Sequence, residues 1–107
     1  MNEEKLKNLL GLAQRAGKLT SGNFSVKESI NSGKVKLLIL ATDAAPNGVK
    51  EFEKISREKK LPIVRALTGE TLGKCLGKNF RTVAAISDEG FAKSIIKISD
   101  GKDGGKK

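Results

Sequence analysis

Val35-Lys36-Leu37-Leu38-Ile39-Leu40-Ala41 is the most apolar run in the chain. Its length of seven residues is typical of a strand buried on both faces. Gly33 lies before the run, and the turn-forming stretch 42–46 follows it. We therefore predict that residues 35–41 form the central strand of a sheet.

Two helices are predicted upstream of this strand. The first spans about residues 3–16 and stops at Gly17, because apolar residues recur there at helical spacing. A short strand at residues 18–20 then leads into a turn at Gly22, and a second helix runs from about Asn23 to Ser32.

Helices and strands also alternate downstream. Pro46 suits the first turn of a third helix, which buries Val49, Phe52 and Ile55 and exposes a solvated face of mixed charges. A strand over residues 61–66 tolerates Pro62 at an edge. The remaining predicted elements are a short helix capped by Thr68, a loop at 78–82, a strand at 83–86 and a helix capped by Asp88 that buries Phe91, Ile95 and Ile98.

This alternation predicts an α/β fold in which helices cover both faces of a central sheet of about four strands. Residues 1–99 then form a single domain, and residues 100–107 form a disordered tail because they have nothing to bury. Three loops are expected at one end of the sheet: the Gly22 turn, the 43–46 turn and the 78–82 loop. Open α/β sheets tend to bind ligands at such an end.

The composition excludes several classes of function. Without histidine, neither Ser-His-Asp catalysis nor a histidine-containing metal site is possible, and Cys75, the one cysteine, cannot form an intramolecular disulfide. We expect no cofactor and no metal. The residues lack a membrane-spanning run and a signal peptide, which predicts a cytoplasmic protein with no membrane contact.

The charge favours a polyanionic partner. Lys and Arg number 21 against 12 Asp and Glu, a formal net charge of +9, and only +1 of this belongs to residues 100–107. A compact domain this basic is typical of nucleic-acid binding through the release of counterions from phosphates. Simple solubility is the other interpretation of the same charge.

The junction Ser21-Gly22-Asn23-Phe24-Ser25-Val26-Lys27 is the predicted binding site. The first N–H groups of a helix lack intrahelical partners and accept polar or anionic groups. Asn23 and Lys27 lie four residues apart on one helical face, where an amide reads a base edge and a cation neutralises a phosphate. The ordinary interpretation is that Asn23 is an N-cap and Lys27 is solvated.

Other motifs do not indicate chemistry. The glycine-lysine stretches 11–18 and 73–79 both miss the phosphate-loop spacing. Cys75 has apolar neighbours and is predicted to be a small buried hydrophobe. Asp43 lacks a paired acid or a metal site, so a turn or capping role is expected.

Four motifs in order resemble a known family: residues 10–18, the Ser21-Gly22-Asn23 stretch followed by Lys27, residues 38–44, and residues 72–78. Over about residues 6–98, the chain resembles the L-seven-Ae superfamily of kink-turn-binding ribosomal proteins, most closely its bacterial YlxQ-type branch. The resemblance implies a three-layer α/β/α sandwich that binds bent ribosomal RNA containing sheared G·A pairs, without catalysis. It also implies association with the ribosome.

In the family, a glycine and an Asn-Glu-x-x-Lys motif contact the G·A pairs, and the loop after the Leu-Gly helix packs on the RNA. Carried over, and together with the loops expected at the same end, these features give the following candidate RNA-binding residues: Ser21, Gly22, Asn23, Phe24, Lys27, Asp43, Lys78, Asn79, Phe80, Arg81 and Thr82.

The chain departs from the family pattern at Phe24, which replaces the glutamate of the motif, and at Ala45, which replaces an acidic residue. Phe24 either stacks on a displaced base or covers the edge of the core. A protein-interaction module that has lost kink-turn recognition is the alternative function. A small enzyme acting on an anionic substrate is a third candidate function, but the sequence shows no acid-base pair that could catalyse a reaction.

Overall fold

A computed structural model describes residues 2–100, which form five helices and four strands. In chain order the elements are α1 (Glu3–Arg15), β1 (Leu19–Ser21), α2 (Asn23–Asn31), β2 (Leu37–Leu40), α3 (Pro46–Lys59), β3 (Ile63–Arg65), α4 (Gly69–Cys75), β4 (Val83–Ile86) and α5 (Glu89–Ser99). None of the helices within residues 2–100 combines the length and apolar character needed to cross a membrane.

The four strands form one mixed sheet in the order β1-β4-β2-β3. β4 is antiparallel to both β1 and β2, whereas β2 and β3 are parallel, with Ile39 opposite Val64. β1, β2 and β3 therefore point the same way, and their carboxyl ends meet at one edge of the sheet. β4 begins at this same edge.

Two apolar layers sandwich the sheet, as predicted. On one face α1, α4 and α5 bury side chains such as Leu6, Leu72 and Ile95. On the other face α2 and α3 bury Val26 and Phe52. All four residues of β2 are buried, so the predicted central strand covered on both faces is confirmed, although it spans residues 37–40 and not the whole run 35–41.

The helix signals read from the sequence are largely confirmed. Thr68 and Asp88 cap α4 and α5 by accepting hydrogen bonds from the backbone N–H groups of Thr71 and Phe91. Pro46 begins α3. β3 lies at the edge of the sheet, where Pro62 interrupts no ladder on its outer side.

A few details differ from the predictions. The first strand lies one residue later than expected, so Ser21 belongs to β1 instead of the turn. Val49, Ile55 and Phe91 are half-buried, because each lies at the margin of its apolar layer. Asp100, the first residue of the predicted disordered tail, is the C-cap of α5, and the rest of that tail lies outside the described residues.

Candidate nucleic-acid interface

The three loops expected at one end of the sheet are joined there by backbone hydrogen bonds. Gly22 donates to the Val83 carbonyl at 3.0 Å, which ties the β1–α2 junction to the start of β4. Ala41 donates to the Thr82 carbonyl at 2.8 Å, which ties the end of β2 to the 78–82 loop. The topology of the sheet therefore brings the β1–α2 junction, the end of β2 and the 78–82 loop together.

Gly22 makes the sharp change of direction from β1 into α2. Its φ of 96° and ψ of 147° lie in a region that residues with a Cβ rarely adopt. Gly22 is the N-cap, so no side chain caps this helix, and no acidic residue lies in its first turn. In contrast, α1, α4 and α5 each have a side-chain cap and an acidic residue there.

Asn23 is the first helical residue of α2 and not its N-cap, so the ordinary interpretation of this asparagine is wrong. Its amide is exposed and forms no hydrogen bond to any residue from 2 to 100. The first N–H groups of α2 lie beside it, with the positive end of the helix dipole. Donors and an acceptor are thus available together on one exposed turn.

Phe24 projects into solvent, with 74% of its surface exposed. It therefore does not cover the edge of the core, and that interpretation is wrong. An exposed aromatic side chain at this level is unusual for a folded domain, since burying a phenylalanine stabilises by roughly 1.5–3 kcal/mol. The ring remains available to a ligand.

Lys27 lies one turn further along α2 and faces α3. Its ammonium nitrogen is 2.7 Å from the Glu51 carboxylate and 5.8 Å from the centroid of the Phe52 ring. Lys27 is therefore neither simply solvated nor a free cation. Glu51 is exposed, as predicted for the solvated face of α3, and it also pairs with α2 through Lys27.

The 78–82 loop lies directly on α4 because two glycines leave room for it. A Cβ at Gly73 would lie 2.7 Å from the Phe80 backbone nitrogen, and a Cβ at Gly69 would lie 2.6 Å from the Phe80 ring. Both distances are below van der Waals contact. The glycines of α4 therefore hold the loop close, while the side chains of Lys78, Asn79 and Phe80 stay exposed.

Arg81 connects this loop to the Gly22 junction. Its Nε donates to the Ser21 hydroxyl at 3.1 Å, and its NH1 donates to the Phe80 carbonyl at 2.8 Å. Its backbone N–H donates to the Gly69 carbonyl at 3.0 Å. The guanidinium is thus held beside α2, next to half-buried Thr82.

Asp43 has the capping role expected from the sequence. Its carboxylate accepts a hydrogen bond of 2.8 Å from the backbone N–H of Gly69 at the start of α4. Charge at this position also complements the helix dipole. Asp43 therefore fixes α4 and, through it, the 78–82 loop.

Arg65 lies at the same end of the sheet and was not among the residues that the sequence indicated. It is the last residue of β3, and its side chain is exposed. Its NH2 donates to the carbonyls of Ala41 and Thr42. The sequence places this arginine at the end of a strand, which could have indicated a position at this end of the sheet. Nothing in the sequence specifies which turn the side chain contacts.

No metal centre is formed within residues 2–100, where no three acidic or thiol side chains cluster. Cys75 was predicted to be a small buried hydrophobe; it packs against the core from α4 but is only half-buried. Burial raises the pKa of the Cys75 thiol above its usual value, and the nearby charge of Lys7 opposes that shift. A protonated thiol is a poor nucleophile.

The model of the ribosomal protein L7Ae/L30e/S12e/Gadd45 family matches residues 4–96 of this chain. The chain belongs to this family. The match spans nearly all of the described elements and leaves out only the ends, such as the last residues of α5. It therefore includes the surface described above.

Two relatives and two solved structures show how close the L7Ae-type match is. RNA-binding protein YlxQ of Bacillus subtilis (strain 168) is 37% identical over 92 residues, 86% of this chain and 92% of that protein. RNA-binding protein YlxQ of Enterococcus faecium is 34% identical over 100 residues, 94% of this chain and 96% of that protein. A protein of unknown function from Bacillus halodurans C matches with a TM-score of 0.85 and 31% identity, covering 90% of this chain and 97% of its own. The Giardia lamblia 15.5kD RNA binding protein matches with a TM-score of 0.74 and 25% identity, covering 95% of this chain and 89% of its own.

Proposed function

We propose that this protein binds structured RNA without catalysing a reaction. The observation that carries the proposal is the first turn of α2, where an uncapped helix start presents the exposed Asn23 amide beside the tethered Arg81. Such a turn offers donors to phosphate oxygens and an amide to a base edge. The name RNA-binding protein, carried by the two YlxQ relatives, supports the same function.

The proposed ligand is a bent RNA element, a kink-turn or a similar ribosomal RNA structure, bound in the cytoplasm at the ribosome. RNA is generally read at irregular sites, where bases are unstacked, and by its shape. A single exposed helical turn flanked by a loop suits an irregular site better than a regular duplex. Membership of a ribosomal protein family supports the ribosomal partner.

The residues of the interface have three proposed roles: base recognition, phosphate neutralisation and positioning of other side chains. The Asn23 amide and the backbone of residues 22–24 read bases, and Phe24 stacks on one that has left the helix. Arg81 and Lys78 neutralise phosphates, and Lys27 does so once RNA displaces Glu51. The remaining members position these groups: Ser21, Asp43, Asn79, Phe80 and Thr82.

A second candidate function is docking of a protein partner through Phe24. The exposed ring favours it, because an apolar side chain this exposed suits a protein contact as well as a base. The two functions differ in their dependence on salt: RNA binding weakens steeply as salt rises, whereas an apolar contact does not.

Fluorescence anisotropy with three labelled RNAs tests the proposal. The RNAs are a kink-turn, the same strand with its G·A pairs replaced, and a duplex of equal length, each titrated from 50 to 300 mM salt. We expect the kink-turn to bind most tightly at every salt concentration. Equal affinity for all three RNAs would contradict recognition of bent RNA, and no binding to any would contradict the function itself.

A further inference from the structure

Arg65 is held against the β2–α3 turn at the end of the edge strand. One nitrogen of its guanidinium, NH2, donates to the Ala41 carbonyl at 3.3 Å and to the Thr42 carbonyl at 3.2 Å. Both bonds are long for their type, so they orient the group more than they stabilise the fold. The side chain is exposed and lies at the same end of the sheet as the Gly22 junction.

The charge of Arg65 is not neutralised within the part of the chain that the structure describes. Each ion pair found among residues 2–100 joins a lysine to a glutamate, as in Lys27–Glu51, and none includes Arg65. A guanidinium has five N–H donors, and the two on NH2 are used by the carbonyls. Three donors, two on NH1 and one on Nε, remain free to bind phosphate oxygens.

Arg65 and Arg81 occupy opposite sides of this end of the sheet. Arg81 is tied to Ser21 on β1, and Arg65 extends from β3 onto the turn after β2. The strand order β1-β4-β2-β3 puts two to three strand spacings between them. At about 4.8 Å per spacing, the strand ends that hold the two guanidinium groups are roughly 10–15 Å apart. They are too far apart to grip one phosphate together.

We propose that Arg65 is a second phosphate anchor, which holds the RNA backbone on the β3 side of this sheet end, whereas Arg81 holds it on the β1 side. This inference rests on the proposed RNA function and deepens it. Two oriented arginines at opposite sides of this sheet end, neither in an ion pair among residues 2–100, hold two separate phosphates and fix the direction in which the RNA crosses the sheet edge. The α2 turn alone would leave that direction free.

The test uses Arg65→Gln, which removes the charge and keeps a hydrogen-bond donor for the turn. Arg57→Gln is the matched control, since Arg57 is an exposed arginine in the last turn of α3. We expect Arg65→Gln to reduce the slope of log K against log salt by about 1 and to weaken RNA binding about five- to tenfold at 0.1 M salt. Arg57→Gln should change affinity less than about twofold, because it contacts no phosphate.

A methylphosphonate scan of the RNA identifies the phosphate involved. Neutralising the phosphate held by Arg65 should weaken wild-type binding and leave Arg65→Gln unaffected, whereas a different position should become silent in Arg81→Gln. Arg65→Lys keeps the charge and loses the planar guanidinium that the turn orients, so it should retain the salt slope and lose part of the affinity. Thermal unfolding of each variant confirms that the fold is intact.

Two outcomes would overturn the inference. If Arg65→Gln and Arg57→Gln behave alike in slope and affinity while wild type binds RNA, the inference fails and the proposed function stands. If wild type binds no RNA, the proposed function fails first, and the inference fails with it.

Discussion

The ammonium nitrogen of Lys27 lies 2.7 Å from the carboxylate of Glu51, so the lysine of the α2 turn is bonded to α3 in the free protein. Both side chains are close to half exposed, at 40% and 47%. An ion pair this exposed contributes only about 0–1 kcal/mol to stability. We therefore expect RNA phosphate to displace Glu51 at a small free-energy cost, and Glu51 to weaken RNA binding by competing for Lys27.

Replacing Glu51 with glutamine should strengthen RNA binding. We expect Glu51→Gln to raise affinity by about two- to fivefold at 0.1 M salt, because the substitution frees Lys27 and removes a negative charge near the RNA. Glu53→Gln on the same helix makes the same change of charge at an exposed residue and is the control. An affinity no higher than that of the control would contradict a phosphate-binding role for Lys27.

Adding a methyl group at Gly73 should displace the 78–82 loop. The new Cβ would meet the backbone of Phe80 at 2.7 Å, which a side-chain rotation cannot relieve. We expect Gly73→Ala to destabilise the protein by about 1–3 kcal/mol and to weaken RNA binding, as measured by urea unfolding and anisotropy.

Gly48→Ala is the control for this change, since a Cβ there meets nothing within 4 Å. It should stabilise the protein by about 0.5–1 kcal/mol through helix propensity. A Gly73→Ala variant that is as stable as Gly48→Ala, and that binds RNA normally, would show that the loop does not depend on close contact with α4.

Two substitutions of Phe24 distinguish base stacking from an apolar contact. Stacking needs an aromatic ring, so Phe24→Tyr should keep RNA affinity, whereas Phe24→Leu should lose about 1–3 kcal/mol of binding free energy. Folding should be unaffected in both variants, because the ring is 74% exposed. Equal RNA binding by wild type and Phe24→Leu would exclude stacking and would favour the protein-docking function.

The Cys75 thiol should react slowly in the folded protein. Burial raises its pKa, so at pH 8 a smaller fraction is thiolate than in the unfolded chain, and the residue is half-buried. We expect alkylation by iodoacetamide to be at least about tenfold slower in buffer than in 8 M urea. Because the folded pKa is the higher one, the thiol contributes stability at neutral pH that is lost as pH rises above the unfolded pKa. Fast native alkylation would contradict this burial.

Local sequence signals were sufficient to predict most of the fold. The apolar run around Ile39 predicted a buried strand, which the structure contains. Thr68 and Asp88 were predicted to cap two helices, and their side chains do so. Each of these signals depends on residues within one turn or one strand. The alternation of helices and strands also predicted that the three loops lie at one end of the sheet.

Contacts between distant elements could not be predicted in the same way. The Lys27–Glu51 pair joins two helices, and the Arg65 contact joins an edge strand to a turn 23 residues earlier in the chain. Both depend on side-chain directions that only tertiary packing sets. Asn23 was likewise assigned to its helix start correctly, but the φ of Gly22 decides that Gly22, and not Asn23, is the cap.

The proposed RNA function depends most on the exposed amide of Asn23, which we expect to read the RNA. The most direct measurement compares the kink-turn and duplex affinities of wild type, Asn23→Ala and Asn31→Ala, the last being an exposed asparagine at the far end of α2. We predict that Asn23→Ala loses about 1–3 kcal/mol of preference for the kink-turn at an unchanged salt slope, while Asn31→Ala behaves as wild type. If Asn23→Ala keeps the full preference, the first turn of α2 does not read the RNA and the account is contradicted.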